Sequence, residues 1–326
     1  MKEISIIIPA YNTEAYLDAC FDSLLKQSFQ DFEIVAVNDG SKDNTLQILN
    51  SYKEKYPDKF VIINQENQGP GASRNTGIAA ATGRYITFMD SDDYLKPNAL
   101  EVMHRKAVES GCEVVCCNVD CIYPDKTVII NSNVNFTSHN LSLDEKKRLF
   151  SMYPVVWNKL YKREVFSEKG VLFEPGIWYE DVLFLSCLIP NLKSISYVDE
   201  ALYEYIQRPN SITYTYSQRL TNINLVLHKT LDYFRSNAIY EDYEDVLEFM
   251  YARYMLATYL KRLAKTKDFA VYKAGITYAC DKVRENFPNY RKNPYVAAAG
   301  AKGIYLKYFN RLFAYAIFFI EKNRMN

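Results

Sequence analysis

Three carboxylates stand together in "RYITFMDSDDYLKP", residues 84–97, where Asp90, Asp92 and Asp93 follow a run of β-favouring residues. Negative charge this dense repels itself unless a cation sits within it, and Asp oxygens suit Mg²⁺ or Mn²⁺. An ion held there would neutralise phosphate oxygens on a ligand. A solvated turn in which an Asp caps the next helix accounts for the same residues equally well. A second acidic pair, Glu180 and Asp181 in "WYEDVLF", has an apolar setting. A carboxylate so placed can acquire the raised basicity of a general base. The alternative is helix capping followed by the core residues Val182, Leu183 and Leu185.

Three further segments carry polar groups in suggestive spacing. "NDGSKDN" offers Asp39 and Asp43 in a Gly-containing turn, able to accept hydrogen bonds from a base or ribose or simply to form the turn. "NQGPGASRN" has Gly69, Gly71, Arg74 and Asn75 leading into a helix, which lets backbone and guanidinium approach an anion. No Lys-Ser/Thr pair follows its glycines, so it is not a Walker loop. "QRPNSIT" brings Arg208 together with Ser211 and Thr213, a group able to grip a pyrophosphate, or a polar turn. His104, His139 and His228 lie in none of these segments, which leaves a Ser-His-Asp or Cys-His mechanism little support.

Alternating strand and helix signals must position these groups. "ISIII", "FEIVAV", "FVIIN" and "YITFM" read as four strands, the first a doubly buried apolar run. Leu17, Cys20, Phe21 and Leu24 recur at helical spacing, as do Leu46, Leu49 and Tyr52. After the loop "QENQGPGASRN" the small residues "TGIAAATG" read as a helix, and Pro97 as a first-turn proline ahead of Leu100, Met103 and Ala107. Such alternation predicts a mainly parallel sheet with right-handed crossovers and ligands beyond the strands' carboxyl ends. "PAYN", "NDGSKDN", "NQGPGASRN" and "DSDD" should therefore converge on one edge. From 113 to about 216 the pattern loosens into the strands "EVVCCNVDCIY", "KTVIIN", "SISYV" and "ALYEYIQ", with a helix near "LDEKKRLFSM"; beyond 217 helical spacing dominates.

The 326 residues, 48% hydrophobic and 24% charged, are those of a globular protein rather than a disordered or fibrous one. The formal charge is zero, yet residues 217–326 hold 18 Lys+Arg against 10 Asp+Glu, so the two parts carry −8 and +8. The acidic part could hold a metal and the basic part meet an anionic surface, unless these are merely solvated helix faces. Seven cysteines and an opening "MKEISIIIPAYN" without a signal-peptide pattern lead us to expect reduced thiols in the cytosol. Cys112, Cys116, Cys117 and Cys121 invite a zinc reading, but the segment looks like a strand whose thiols serve as small apolar residues. No apolar run approaches the roughly 20 residues that span a bilayer.

Taken in order, "SIIIPAYN", "VNDGSKDNT", "NQGPGASRNTGI", "YITFMDSDD", "WNKLY", "YEDVLF" and "RPNSIT" resemble glycosyltransferase family 2, inverting enzymes of the GT-A fold, over residues 4 to about 215. The resemblance implies a GT-A domain over 1–216, with a nucleotide-binding half 1–110 and an acceptor and catalytic half 111–216, followed by a basic helical region 217–326. It implies transfer of a hexosyl or N-acetylhexosaminyl group from a UDP-sugar to a glycan or lipid-linked acceptor, in surface polysaccharide, capsule or teichoic acid synthesis.

Residue by residue, it implies that Pro9, Tyr11 and Asp39 hold the uracil, with Tyr11 against the base and Asp39 at its N3 edge. Asn12, Asn67, Arg74 and Ser91 would join the nucleotide and donor pocket. Asp90 and Asp92 match the Asp-x-Asp pattern that binds Mn²⁺ or Mg²⁺, Asp92 as the direct ligand, while Asp93 would support the site or touch the donor sugar. Asp181 resembles the catalytic base, and Glu180 would orient it or touch the sugar. Trp157, Asn158 and Lys159 look like part of the donor and acceptor cleft, and Arg208, Ser211 and Thr213 like a loop closing over the diphosphate. Some relatives have a His in that loop, and "YIQRPNS" has none.

From residue 250 onward there are 15 Lys+Arg against 4 Asp+Glu, and "GIYLKYFNRLFAYAIFFIEKNR" mixes bulky apolar residues with Lys307 and Arg311. An interfacial helix that brings a cytoplasmic enzyme to the inner face of an anionic membrane accounts for it, as does packing on the enzyme or a homo-oligomer contact. Nucleic acid is not an expected partner. A nucleotidyltransferase would also use carboxylates and a metal, but no Gly-rich loop with a basic finger follows the first strand. A binding module that has lost catalysis is opposed by the intact "DSDD" and "YED".

Overall fold

The computed structural model describes residues 2–208, 216–266 and 268–324. Two compact units, Met1–Gln207 and Arg208–Asn326, make up the chain.

The first unit runs β1 (Ile4–Ala10), α1 (Leu17–Leu25), β2 (Phe32–Asp39), α2 (Thr45–Lys55), β3 (Phe60–Gln65), α3 (Pro70–Ala80), β4 (Tyr85–Phe88), β5 (Tyr94–Leu95) and α4 (Ala99–Ser110). It continues through β6 (Val114–Ile122), β7 (Thr127–Ile130), α5 (Leu143–Leu149), β8 (Lys159–Lys162), α6 (Glu164–Lys169), α7 (Glu180–Leu188) and β9 (Ile195–Ile206). Among the described residues these strands form one sheet in the order β3-β2-β1-β4-β8-β6-β9-β5, with β7 on β6. The first four strands are mutually parallel, so their carboxyl ends share an edge. Beyond β4 the sheet is mixed: β8 lies antiparallel to β4 and β6, β9 parallel to β6, and β5 antiparallel to β9.

The reason for the parallel half lies in its residues. Ile4, Ile6, Ile7 and Ile8 of β1 and Phe32, Ile34, Val35 and Val37 of β2 are fully buried, as strands covered by helices on both faces require. On α1 the buried set is Leu17, Cys20, Phe21 and Leu24, the helical stripe of the sequence, and Phe21 meets Phe60 of β3 edge-on with ring centroids 5.0 Å apart. Cys116, Cys117 and Cys121 are buried in β6 as apolar fillers; burial pushes the Cys116 thiol up to about 11 and the Cys117 thiol to about 12, so both stay protonated.

Three expectations change. The small-residue helix begins at Pro70 rather than at Thr76, because Pro occupies its first turn and Gly69, at φ 86°, takes the cap. Gly71, Arg74 and Asn75 thus belong to the helix itself. "SISYV" and "ALYEYIQ" form the single strand β9, whose pairing with β6 shifts register around Asn118. The short strands β5 and β8 are additional.

Gly40, just after β2, has φ +71°, and a Cβ there would come within 2.9 Å of the Asn67 backbone nitrogen. Gly40→Ala is expected to destabilise the fold by more than about 1 kcal/mol, since it adds strain and a backbone clash together. Urea unfolding checks this; an unchanged midpoint would show that the loop yields freely.

The second unit contains α8 (Asn222–Ser236), α9 (Tyr240–Arg253), a π-helical turn at Tyr254–Tyr259, α10 (Leu260–Leu263), α11 (Phe269–Asn286), α12 (Pro294–Ala298), α13 (Gly300–Tyr308) and α14 (Arg311–Arg324). Leu227, Phe234, Leu247, Tyr251, Leu260 and Tyr272 form its buried centre. Among the described residues no helix is long and apolar enough to cross a membrane.

Candidate active site

Tyr11, Asp39 and the acidic turn owe their positions to strand ends, and Arg74, Glu180 and Asp181 to helices. At the end of β1, Tyr11 is 48% exposed, and Asn12 adopts φ 52°, a left-handed conformation that Asn tolerates. The Asn12 N–H donates to the Ser41 hydroxyl at 3.1 Å and its side-chain oxygen accepts from the Lys42 N–H at 2.8 Å, so the loops after β1 and β2 are tied together. Asp39, at the end of β2, is buried and accepts from the Gln65 amide at 2.7 Å, the Gln68 N–H at 3.0 Å and the Gly69 N–H at 2.8 Å. The Asn67 amide donates to the Asp39 carbonyl. A carboxylate has about four acceptor positions, so Asp39 fixes the loop before α3 and keeps about one for a ligand.

Arg74 joins two acidic segments, at Asp90 and Glu180, that lie 90 residues apart in sequence. It projects from α3, 5% exposed, and donates through Nη1 to Glu180 Oε1 at 2.6 Å and through Nη2 to Asp90 Oδ1 at 3.1 Å. Its guanidinium lies over the Phe173 ring. Burial pushes its pKa down, but the carboxylates of Glu180, Asp90 and Asp181 outweigh that and raise it, so Arg74 is a permanent cation. α3 comes this close to the segment before α7 because residue 71 is glycine: a Cβ there would lie 2.8 Å from the Glu174 carbonyl oxygen.

The acidic turn is held from β9. Tyr203 accepts from the Asp90 N–H at 3.1 Å and donates its own hydrogen to Asp93 at 2.8 Å, while the Ile206 N–H donates to the other Asp93 oxygen at 2.9 Å. Asp93 is therefore a buried anchor, and its support of the turn, rather than contact with a sugar, is what its partners define. Burial, then the charges of Asp90 and Asp92, raise its pKa well above the ordinary carboxylate range. Tyr203 stacks on Trp157 with centroids 4.0 Å apart, and Tyr153 and Tyr205 pack around the same indole. Ser91 is buried within the turn, and Asp92 is part-exposed.

Asp181 sits in the first turn of α7 beside Glu180, with one carboxylate oxygen accepting from the Val182 N–H at 2.8 Å. Burial, followed by the neighbouring Glu180 charge, raises its pKa to about 7, against the opposing pull of Arg74. A carboxyl of that basicity can take a proton near neutral pH.

Lys159 departs from expectation. It is fully buried, and its ammonium donates to the Tyr153 and Val155 carbonyls and to Asn158 Oδ1, which occupies its three hydrogens. Burial lowers its pKa. Asn158 is also fully buried and donates to the Cys117 carbonyl. Both brace the segment behind Trp157 instead of presenting donors to a ligand. Arg208 opens the second unit, and Ser211 and Thr213 lie outside the described residues.

Mg²⁺ or Mn²⁺ that binds through substrate phosphates needs only one or two protein carboxylates. Among the described residues no three His, Cys, Asp or Glu side chains are grouped to hold a metal by themselves. Asp90 and Asp92 nevertheless fit a shared site: they are hard oxygen donors in one turn, and Arg74 engages only one Asp90 oxygen.

The sequence model of glycosyl transferase family 2 matches residues 5–170, half of the chain, and spans β1 through the acidic turn to β8. The chain belongs to glycosyltransferase family 2. EpsH of Bacillus subtilis, named as a glycosyltransferase, is 34% identical over 252 residues, 75% of this chain and 73% of its own. The structure of S. aureus TarS in complex with UDP-GlcNAc aligns over 94% of this chain and 89% of that one with a TM-score of 0.69 at 23% identity. A mannosyltransferase of Pyrobaculum calidifontis, PcManGT in complex with GDP-Man and Mn²⁺, gives a TM-score of 0.54 over 94% and 86% at 16% identity. These likenesses establish the GT-A fold of this family 2 glycosyltransferase. Tyr203 was not distinguished in the sequence as more than a strand residue. The available signal was a buried aromatic whose hydroxyl must find a partner.

Proposed function

We propose that this glycosyltransferase moves a sugar from a UDP-sugar to an acceptor hydroxyl with inversion at the anomeric carbon, with Asp181 as the general base. The observation that carries the reading is the Arg74 bridge, which draws Asp90 of the acidic turn and Glu180, the neighbour of Asp181, to one guanidinium. A donor diphosphate beside the turn would then have its anomeric carbon on the side of the base. The acceptor hydroxyl gives its proton to Asp181 as its oxygen bonds to the anomeric carbon, and the bond to the UDP oxygen breaks with its electron pair leaving on UDP. Asp90 and Asp92 would hold Mn²⁺ or Mg²⁺, which when bound neutralises charge on the departing diphosphate. With the leaving group so stabilised, no general acid is needed.

The TarS complex supports uracil as the base, and the Mn²⁺ of the PcManGT complex supports the metal. Tyr11, exposed at the end of β1, is free to lie against the base, and Asp39 to meet its edge through its remaining acceptor position. Trp157 would border the sugar. The acceptor would be a hydroxyl of a surface glycan or its lipid-linked precursor.

A thermal-shift screen of UDP-sugars with Mn²⁺ tests the donor class, since a ligand that binds only the folded state raises its melting temperature. UDP-hexoses should stabilise, and stabilisation by GDP- but not UDP-sugars would overturn it. Asp92→Ala is expected to weaken Mn²⁺-dependent UDP binding at least about tenfold. Equal affinity with and without Mn²⁺ in the wild type would remove the metal from the scheme.

A further inference from the structure

Helix α14 is apolar on two sides. Ala314 and Phe318 face the second unit: the Tyr272 hydroxyl donates to the Ala314 carbonyl at 2.9 Å, and Phe318 packs on the rings of Tyr272 and Phe269. The other side carries Leu312, Phe313, Ala316, Phe319 and Ile320, all exposed, Leu312 to 77%. At 3.6 residues per turn these five fall within an arc of about 120°. A surface helix ordinarily presents polar residues on that side. Here no charged residue occurs between Arg311 and Glu321. Phe269 of α11, 41% exposed, meets Phe319 with centroids 5.9 Å apart and widens the patch.

We propose that the exposed face of α14 rests in the interfacial region of an anionic lipid membrane. Charge selects this occupant. Residues 300–326 hold five Lys+Arg against one Glu, with Lys302, Lys307 and Arg311 before the stripe and Lys322 and Arg324 after it. An apolar stripe bracketed by cations is the composition of a helix that lies in a headgroup plane. A second copy would bring two regions of +8 together, and five side chains fall short of the roughly 800 Å² per partner that a stable interface buries. The uncharged run Leu312–Ile320, closed by Arg311 and Glu321, is far shorter than the roughly 20 apolar residues that span a bilayer. The surface is independent of which sugar is transferred.

Flotation of the full chain with vesicles of phosphatidylcholine alone, or with one-third phosphatidylglycerol, tests the proposal. The protein should float with the anionic vesicles at about 0.1 M salt and largely separate from them at about 0.5 M. Leu312→Ser with Ile320→Ser, two exposed positions, should lower partitioning at least about tenfold with an unchanged circular dichroism spectrum. Lys307→Glu with Arg311→Glu should remove the salt-sensitive part. Folded protein that stays with the aqueous phase overturns the proposal, as does equal flotation with neutral vesicles. A discrete dimer in sedimentation that the Leu312/Ile320 variant breaks also overturns it, since the face then belongs to a second copy.

Discussion

Asp181→Asn is expected to lower kcat by about 10²–10⁴, the usual contribution of a positioned base, and to leave UDP-sugar affinity nearly intact. With Asp181 as the base, the wild-type rate should fall as pH drops through about 7, because only an ionised carboxylate can take the acceptor's proton. The Asn variant retains a small rate without that inflection. The same group carries a stability consequence of opposite sense. Its folded pKa lies above its ordinary value of 3.8, so its favourable contribution to stability is complete below about pH 4 and is lost as pH rises through about 7. Above that pH the folded protein holds an ionised, half-buried carboxylate beside Glu180 that Asn does not reproduce. The variant is therefore expected to melt at or above the wild-type temperature near pH 8 while being nearly inactive. Steady-state rates across pH and melting curves at two pH values check both halves; near-normal transfer by the variant would falsify the base assignment.

Arg74→Met is expected to cost about 3–5 kcal/mol, the loss seen when one member of a buried ion pair is removed. Arg74 and Glu180 are only 6% and 10% exposed at their side chains, so little solvent would replace the missing guanidinium around Glu180. The Asp90 contact adds less, because that side chain is 35% exposed. Since replacing a buried pair by apolar residues is often neutral, Arg74→Met with Glu180→Met should recover most of the loss in urea unfolding. A double variant as unstable as the single one would show that Arg74 matters through packing on Phe173 instead. Both variants should bind UDP-sugar more weakly, since Asp90 loses the contact that orients it.

The stripe Leu17, Cys20, Phe21 and Leu24 was legible because a helix against a sheet buries one face, and the period is written in the residues. β1 and β2 were legible instead as continuous apolar runs, as strands covered on both faces require. β5 and β8 were not: two and four residues are too few to carry a period, and "KLYK" sets two bulky residues side by side between lysines with no alternation. The start of α3 was hidden because Gly-Pro-Gly reads as a break, whereas Pro at the first helical turn and a positive-φ Gly before it are a beginning. Lys159 was expected in the cleft only through the family resemblance, and only the folded chain reveals three acceptors around its ammonium.

By itself the sequence determined the chemical inventory: a parallel half-sheet from its apolar runs, carboxylates at strand ends, an Asp beside a Glu in an apolar segment, and a basic tail interrupted by aromatic residues. Only the tertiary structure decided which of those groups meet. Arg74, Asp90 and Glu180 come together because β4 and α3 pack beside the segment that leads into α7, and Asp93 turns inward because β9 delivers a tyrosine hydroxyl and a backbone N–H to it. Local pattern reports the period of each element, but contacts between residues a hundred positions apart depend on strand order, which no local periodicity encodes.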